Sequence, residues 1–265
     1  MVKDTYIDVH CHLTGDEYEA LGGVDAVIDG AREEGVKIIV CSGYDLDSSI
    51  VAKALAEKHA DVYFSAGFHP SELFKYKDGD LEKLRELCCH EKCVAVGEIG
   101  LDYHFDDNPP KEMQRDFFVK QLRLADELGL PVVLHSRDAC NETLEILREN
   151  AGLLKKGGLM HCYSYSAESV RDFVALGLYF SFGGPCTFKN AKKVYESVKL
   201  VPAHRILTET DCPYLTPVPF RGTFPNQPKY VKHVLLQMAE LRNENKEELE
   251  KQVLENAKTL FFKLK

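Results

Sequence analysis

Short apolar runs alternate with amphipathic stretches along this 265-residue chain at a spacing of roughly thirty residues, the rhythm of repeated strand–helix units. Eight runs read as strands: Thr5–Leu13, Val36–Gly43, Val62–His69, Cys93–Leu101, Pro131–Ser136, Gly158–Tyr163, Leu178–Gly183 and Ile206–Thr210. Helical periodicity occupies Val24–Glu34, Asp47–His59, Asp80–Glu91, Lys111–Leu128, Asn141–Asn150, Ala167–Leu176 and Ala191–Leu200. Two more helices, Lys229–Leu241 and Lys246–Phe262, finish the chain. Gly35, Gly129 and Gly177 stand where a helix must close before the next strand. No linker or low-complexity segment interrupts the series, and eight such units match the size of a (β/α)8 TIM barrel, one domain over residues 1–265.

Six side chains able to bind metal, His10, His12, Glu98, His135, His161 and Asp211, each end one of these apolar runs. An open, doubly wound sheet would string strand ends along a line, so ligands from strands 1, 4, 5, 6 and 8 would hardly converge. A closed barrel brings those ends into one ring at its C-terminal face, where chemistry is expected. His10 and His12 project from the same face of their strand and can grip one ion together, with Asp8 on that face too. Glu98 follows Val94-Ala95-Val96-Gly97, where an acid is costly to bury unless it is paired or bound to metal. His135 and His161, taken singly, are more often core histidines than ligands, and their place in the repeat raises both. Asp211 is placed to touch a metal and a water at once, and such an Asp can take a proton. Four imidazoles with two carboxylates suit two divalent cations, Zn, Mn or Mg.

Composition narrows the class further. With 45% hydrophobic side chains the chain can bury a full core, and its apolar runs are too short to span a bilayer. With no apolar signal region at its start, it reads as soluble and cytoplasmic. Nine cysteines are an odd count without an export signal, so reduced and buried thiols are expected at Cys11, Cys41, Cys93, Cys162 and Cys212. Cys88, Cys89 and Cys93 lie close to His90, but no second pair at zinc-ribbon spacing completes a site. A net charge of −9 argues against broad adhesion to nucleic acid, although bound cations would reverse the sign locally for a polyanionic substrate.

Six segments also carry a family likeness: Asp8-Val9-His10-Cys11-His12, Gly67-Phe68-His69-Pro70, Gly97-Glu98-Ile99-Gly100-Leu101-Asp102-Tyr103, His135-Ser136-Arg137, His161-Cys162-Tyr163-Ser164 and Glu209-Thr210-Asp211-Cys212-Pro213-Tyr214-Leu215. Together, in order and over nearly the whole chain, they resemble the TatD family of metal-dependent deoxyribonucleases of the amidohydrolase superfamily. The resemblance implies a TIM barrel, a divalent metal centre and 3′ to 5′ exonuclease or endonuclease activity on DNA. It also implies that the six residues above are the metal ligands.

The expected mechanism places one ion on His10, His12 and Asp211 and a second on His135 and His161, with Glu98 bridging and a metal-activated water as nucleophile. Asp211 orients that water and accepts its proton. His69, at the end of strand 3, is a catalytic or phosphate contact, Arg137 a phosphate contact, and Arg221 a substrate contact on the loop Pro217–Gly222. Glu209 shares the face of Asp211 and is expected to support a ligand or to be one. His104 should lie near the mouth without ligating. DNA is the expected partner, with RNA as a further candidate; no membrane and no obligate protein partner is expected. The competing reading is a hydrolase of a small amide, lactone or phosphoester, which the metal site alone would permit. A carboxylated-lysine bridge is disfavoured because Glu98 occupies the strand 4 position. A non-catalytic metal-binding protein is disfavoured by the complete set of ligands and acid.

Overall fold

In the computed structural model, which describes residues 4–265, the eight runs form eight parallel strands that pair in chain order. They are β1 (Tyr6–Cys11), β2 (Val36–Ser42), β3 (Val62–Ala66), β4 (Cys93–Asp102), β5 (Val132–Arg137), β6 (Gly158–Met160), β7 (Leu178–Phe182) and β8 (Ile206–Thr208). Between them run α1 (Gly23–Glu33), α2 (Leu46–Lys58), α3 (Asp80–Cys88), α4 (Lys111–Leu128), α5 (Cys140–Glu149), α6 (Ala167–Ala175) and α7 (Lys192–Leu200). After β8 come α8 (Val231–Arg242) and α9 (Lys246–Leu260). Each strand lies beside its sequence neighbour because a helix returns the chain to start the next parallel strand, the connection that right-handed strand twist favours.

The sheet curls into a nearly closed barrel, and side-chain chemistry helps to join its seam. The Asp211 N–H donates to the His10 carbonyl at 3.0 Å and the His12 N–H donates to the Cys212 carbonyl at 2.6 Å. Thr210 adds two bonds to the Asp8 carboxylate, from its N–H at 2.9 Å and its hydroxyl at 2.5 Å. Asp8 therefore uses its acceptors to tie β1 to the segment after β8. Burial pushes its carboxyl well above the usual carboxylate range, outweighing the Thr210 bonds. The core is largely apolar: Phe64, Phe173, Phe180 and Phe182 are fully buried, and each such burial stabilises by about 1.5–3 kcal/mol.

Where boundaries differ from the sequence expectation, local chemistry explains it. β6 stops at Met160 and β8 at Thr208, so His161 and Asp211 lie just past their ladders. Cys162 and Asp211 hold φ of 44° and 52°, a left-handed turn that carries the chain out of the strand. β4 runs one residue further than expected, to Asp102, because β5 pairs alongside it as far as Arg137. α8 begins at Val231 after a 3-10 turn over Pro228–Tyr230. All nine cysteines are free, and of the five expected to be buried only Cys162 is partly open, because it lines the cleft described below. Cys88 is buried while Cys89 is exposed, so the two thiols diverge as expected. Among the described residues no helix is long and apolar enough to cross a membrane.

Candidate metal centre

All six strand-end residues converge at the C-terminal mouth of the barrel, and Glu98 stands between two pairs of imidazoles. Its Oε2 lies 3.3 Å from His10 Nε2 and 3.5 Å from His12 Nε2. Its Oε1 lies 2.7 Å from His135 Nδ1 and 2.8 Å from His161 Nε2. Asp211 closes the first group, with Oδ1 3.7 Å from His10 Nε2 and 3.5 Å from His12 Nε2. Glycine makes this convergence sterically feasible. A Cβ on Gly97 would come within 2.6 Å of Val133 Cβ, and one on Gly100 within 2.0 Å of the His135 carbonyl oxygen, so β4 fits against β5 only without those side chains.

Each imidazole turns one nitrogen to the centre; the other nitrogen is hydrogen-bonded from behind in His10, His12 and His135, and in His161 it faces a carboxylate beyond hydrogen-bond distance. The Ser42 hydroxyl meets His10 Nδ1 at 3.0 Å, and the Ser42 carbonyl meets His12 Nδ1 at 2.9 Å. Asp102 Oδ2 holds His135 Nε2 at 3.1 Å, and Glu209 Oε1 faces His161 Nδ1 at 3.6 Å. Glu209 is fully buried and also accepts from the Ser181 hydroxyl. It stands behind a ring as support, one of the two roles the sequence left open. Bracing of this kind fixes the ring's orientation and tautomer and raises its basicity as a ligand.

Do these residues fit metal ions? Within each pair the facing nitrogens are only 3.2 Å apart. Two neutral imidazoles that present lone pairs to each other at that distance repel unless a proton or a cation lies between them. Donors bound at about 2.0–2.1 Å in a tetrahedral shell stand about 3.4 Å apart, close to the spacing of the His10, His12, Glu98 and Asp211 donors. The donor set therefore fits divalent cations. Protonation follows the same demand. Burial pushes the His12 imidazole down, but the Asp211 and Glu98 carboxylates prevail and lift it to about 9. Burial likewise opposes protonation of His161, yet Glu98 and Glu209 raise it well above the ordinary range. The Glu98 carboxyl would be raised by burial, and the surrounding imidazoles, His161 first, hold it well below its usual range.

Other expected residues are distributed unevenly. His69 reaches the centre, with Nε2 3.5 Å from Glu98 Oε1. Its Nδ1 accepts the Ser71 N–H at 3.1 Å, so the neutral ring carries its proton on Nε2. Burial and the neighbouring His135 push this ring down to about 3. Arg137 lines the cleft, its guanidinium 5.0 Å from the centroid of the Phe105 ring and without an ion-pair partner among the described residues. Arg221 is not brought to the cleft wall; it lies 4.0 Å over the Phe188 ring. His104 sits near the mouth and bonds Asp138 at 2.7 Å.

Sequence reasoning missed the roles of Asp102 and Ser42. Asp102 lies four residues after Glu98 on one strand, hence on the same face, a signal that could have found it. It also forms, with His69 and His135, a third group of metal-capable donors lying within 4.8 Å of one another. Ser42 carries no comparable signal, because half of its contribution is a backbone carbonyl.

The centre forms the floor of an open cleft of about 920 Å³ whose walls include Tyr44, Phe105, Arg137, Pro185 and Tyr214.

Comparison with known proteins agrees with this geometry. Residues 7–262 match the family model described as TatD related DNase. The chain is 44% identical over 254 residues to the uncharacterized metal-dependent hydrolase YabD of Bacillus subtilis (strain 168), covering 96% of this chain and 98% of that one. It is 34% identical over 260 residues to the 3′-5′ ssDNA/RNA exonuclease TatD of Cronobacter sakazakii, covering 97% of both chains. The crystal structure of YjjV, a TatD homolog from Escherichia coli K12, superposes with a TM-score of 0.89 at 33% identity, covering 97% of this chain and 98% of that one.

Proposed function

We propose, starting from the fact that this chain belongs to the TatD family of metal-dependent hydrolases, that it hydrolyses phosphodiester bonds of single-stranded DNA, and of RNA as well, from the 3′ end. In this reading the whole chain is one catalytic domain. The observation that carries it is the Glu98 carboxylate shared between two imidazole pairs at the floor of an open cleft whose wall includes Arg137 and the rings of Tyr44, Phe105 and Tyr214. Two divalent cations, one held by His10, His12, Asp211 and Glu98 and the other by Glu98, His135 and His161, would activate the attacking water and neutralise charge developing on the phosphoryl oxygens.

The chain's own residues do the rest. Asp211 is partly open to the cleft, with 14% of its side chain exposed, and its carboxyl is held below its usual range by the imidazoles despite burial. It is therefore ionised at neutral pH and able to orient a water and accept its proton. His69, neutral and protonated on Nε2, acts as a hydrogen-bond donor to a phosphoryl oxygen rather than as a base. Arg137 has its fork free for a phosphate.

Phe105, Tyr214 and Phe224 are 52%, 55% and 62% exposed around the mouth. Such ring faces accept unstacked bases, at about 1–3 kcal/mol per base, and only a single strand can offer them. The name of the Cronobacter sakazakii relative, a 3′-5′ ssDNA/RNA exonuclease, supports the same substrate. A hydrolase of small amides, lactones or phosphoesters would share the floor of the cleft, but it has no use for these walls.

A 5′-labelled single-stranded oligonucleotide incubated with Mg²⁺ or Mn²⁺ should shorten stepwise from its 3′ end. The ladder should disappear with a chelator and slow by about 10²–10⁴-fold in Asp211→Asn. Turnover of small esters or amides alone, with the oligonucleotide untouched, overturns the assignment.

A further inference from the structure

Beside the metal cleft lies a second cavity of about 510 Å³, and Arg137 and Ser164 line both. Two cations border it, Arg137 from the end of β5 and Lys193 from the first turn of α7, and neither has an ion-pair partner among the described residues. The acid in its lining, Asp138, is engaged by His104 Nδ1 at 2.7 Å. Two helices also begin there. Asn141 comes from the first turn of α5, whose N-cap, Ala139, has no side chain able to accept a hydrogen bond. Ser166 caps α6 without a side-chain bond to its backbone; instead the Glu168 carboxylate bonds the Ser166 hydroxyl and its own backbone N–H, within electrostatic reach of Lys193, and Ser169 follows in the first turn. The uncapped first turn of α5 presents N–H donors and a partial positive charge. Two cations without an ion-pair partner among the described residues and the uncapped end of α5 thus meet in one concavity of a chain whose net charge is −9.

We propose that this side cavity binds a second phosphate of the nucleic-acid strand, adjacent to the one being cleaved. The inference rests on the nuclease reading above and deepens it. A strand with one phosphate on the centre passes Arg137 and Ser164 on its way into the cavity, where Lys193, the Ser169 hydroxyl and the first turn of α5 receive the next. The subsite fixes which linkage lies over Glu98, so it governs register and affinity while the centre does the chemistry.

The test has two parts. Under chelation, so that nothing is cut, the anisotropy of a labelled eight-nucleotide single strand reports binding. Lys193→Ala should weaken it about five- to tenfold at low salt, within the range of one ordinary solvent-exposed hydrogen bond, and lower the salt slope by about 0.7. Lys193→Arg should restore it. Lys193 is exposed, so the variant is expected to keep the wild-type melting temperature.

With metal present, strands carrying one neutral methylphosphonate linkage at each position in turn locate the contact. A single position beyond the scissile one should raise KM for the wild type by a similar factor and cost Lys193→Ala nothing further, the non-additivity of a shared contact. Cleavage that is identical in wild type and Lys193→Ala at every neutral linkage overturns the subsite and leaves the nuclease standing. Binding that depends on Lys193, without cleavage of any oligonucleotide, overturns the nuclease reading and keeps an anion site. A strand neither bound nor cut overturns both.

Discussion

The two imidazole pairs on either side of Glu98 are built differently. His10 and His12 are braced from behind by an uncharged group, Ser42, and face a second carboxylate, Asp211, in front. His135 and His161 have carboxylates behind them, Asp102 and Glu209, and no carboxylate but Glu98 in front. The donors of the first pair stand 3.2–3.7 Å apart, near tetrahedral spacing, whereas those of the second close to 2.7–3.2 Å. One side is thus neutralised by what it would share with an ion, the other by what polarises its ligands. On the proposed mechanism the carboxylate in front handles the proton, which would make the β1 side the chemical side and the β5/β6 side the anchoring one.

Removing the shared carboxylate should have the largest effect. Glu98→Gln is expected to lower metal affinity on both sides by more than about a hundredfold, beyond the 10–100-fold typical of losing a supporting residue. Calorimetric titration with Mn²⁺ checks it; loss confined to one class of site would break the symmetry of the Glu98 bridge. Next come the braces. Asp102→Asn and Glu209→Gln should each weaken one ion by about 10–100-fold and leave the other in place. Ser42→Ala should cost less than about tenfold, because the carbonyl that holds His12 stays. Equal losses in all three variants would remove the distinction between charged and neutral bracing.

The smallest effect concerns pH. Without cations, His12 keeps its proton up to about 9, and His161 and His135 are raised in the same direction by their carboxylates against the push of burial. The contribution of His12 to stability is present below the unfolded value of 6.5 and is lost as pH rises through about 9, and those of His135 and His161 are lost in the same direction, as pH rises through their own raised values. Burial moves His10 and His69 the other way, His69 to about 3, so the fold also loses stability as pH falls below 6.5. The melting temperature in chelator should therefore peak near neutral pH. Divalent cations, which replace the protons, should flatten its alkaline side. A melting temperature in chelator that climbs steadily between 6.5 and 9 contradicts this.

Much of the barrel was legible because strand and helix periods differ and each apolar run was followed by a helix long enough to return the chain. The six converging side chains were legible because they end those runs. What stayed hidden depends on groups the pattern does not encode. Ser42 acts partly through its backbone, and Asp102 needed the pairing of β4 with β5 to bring it to His135. Arg221 was placed by loop position, and loop geometry turned it onto Phe188 instead. The side cavity is assembled from β5, α5, α6 and α7, so only the folded chain shows it.

The central claim is that Glu98 divides one centre into two unlike halves. Crystals grown with Mn²⁺ and measured at the manganese absorption edge test it most directly. Two anomalous peaks are expected, one among Glu98 Oε2, His10, His12 and Asp211 and the other among Glu98 Oε1, His135 and His161. A single peak, or two peaks of which neither touches Glu98, would contradict it.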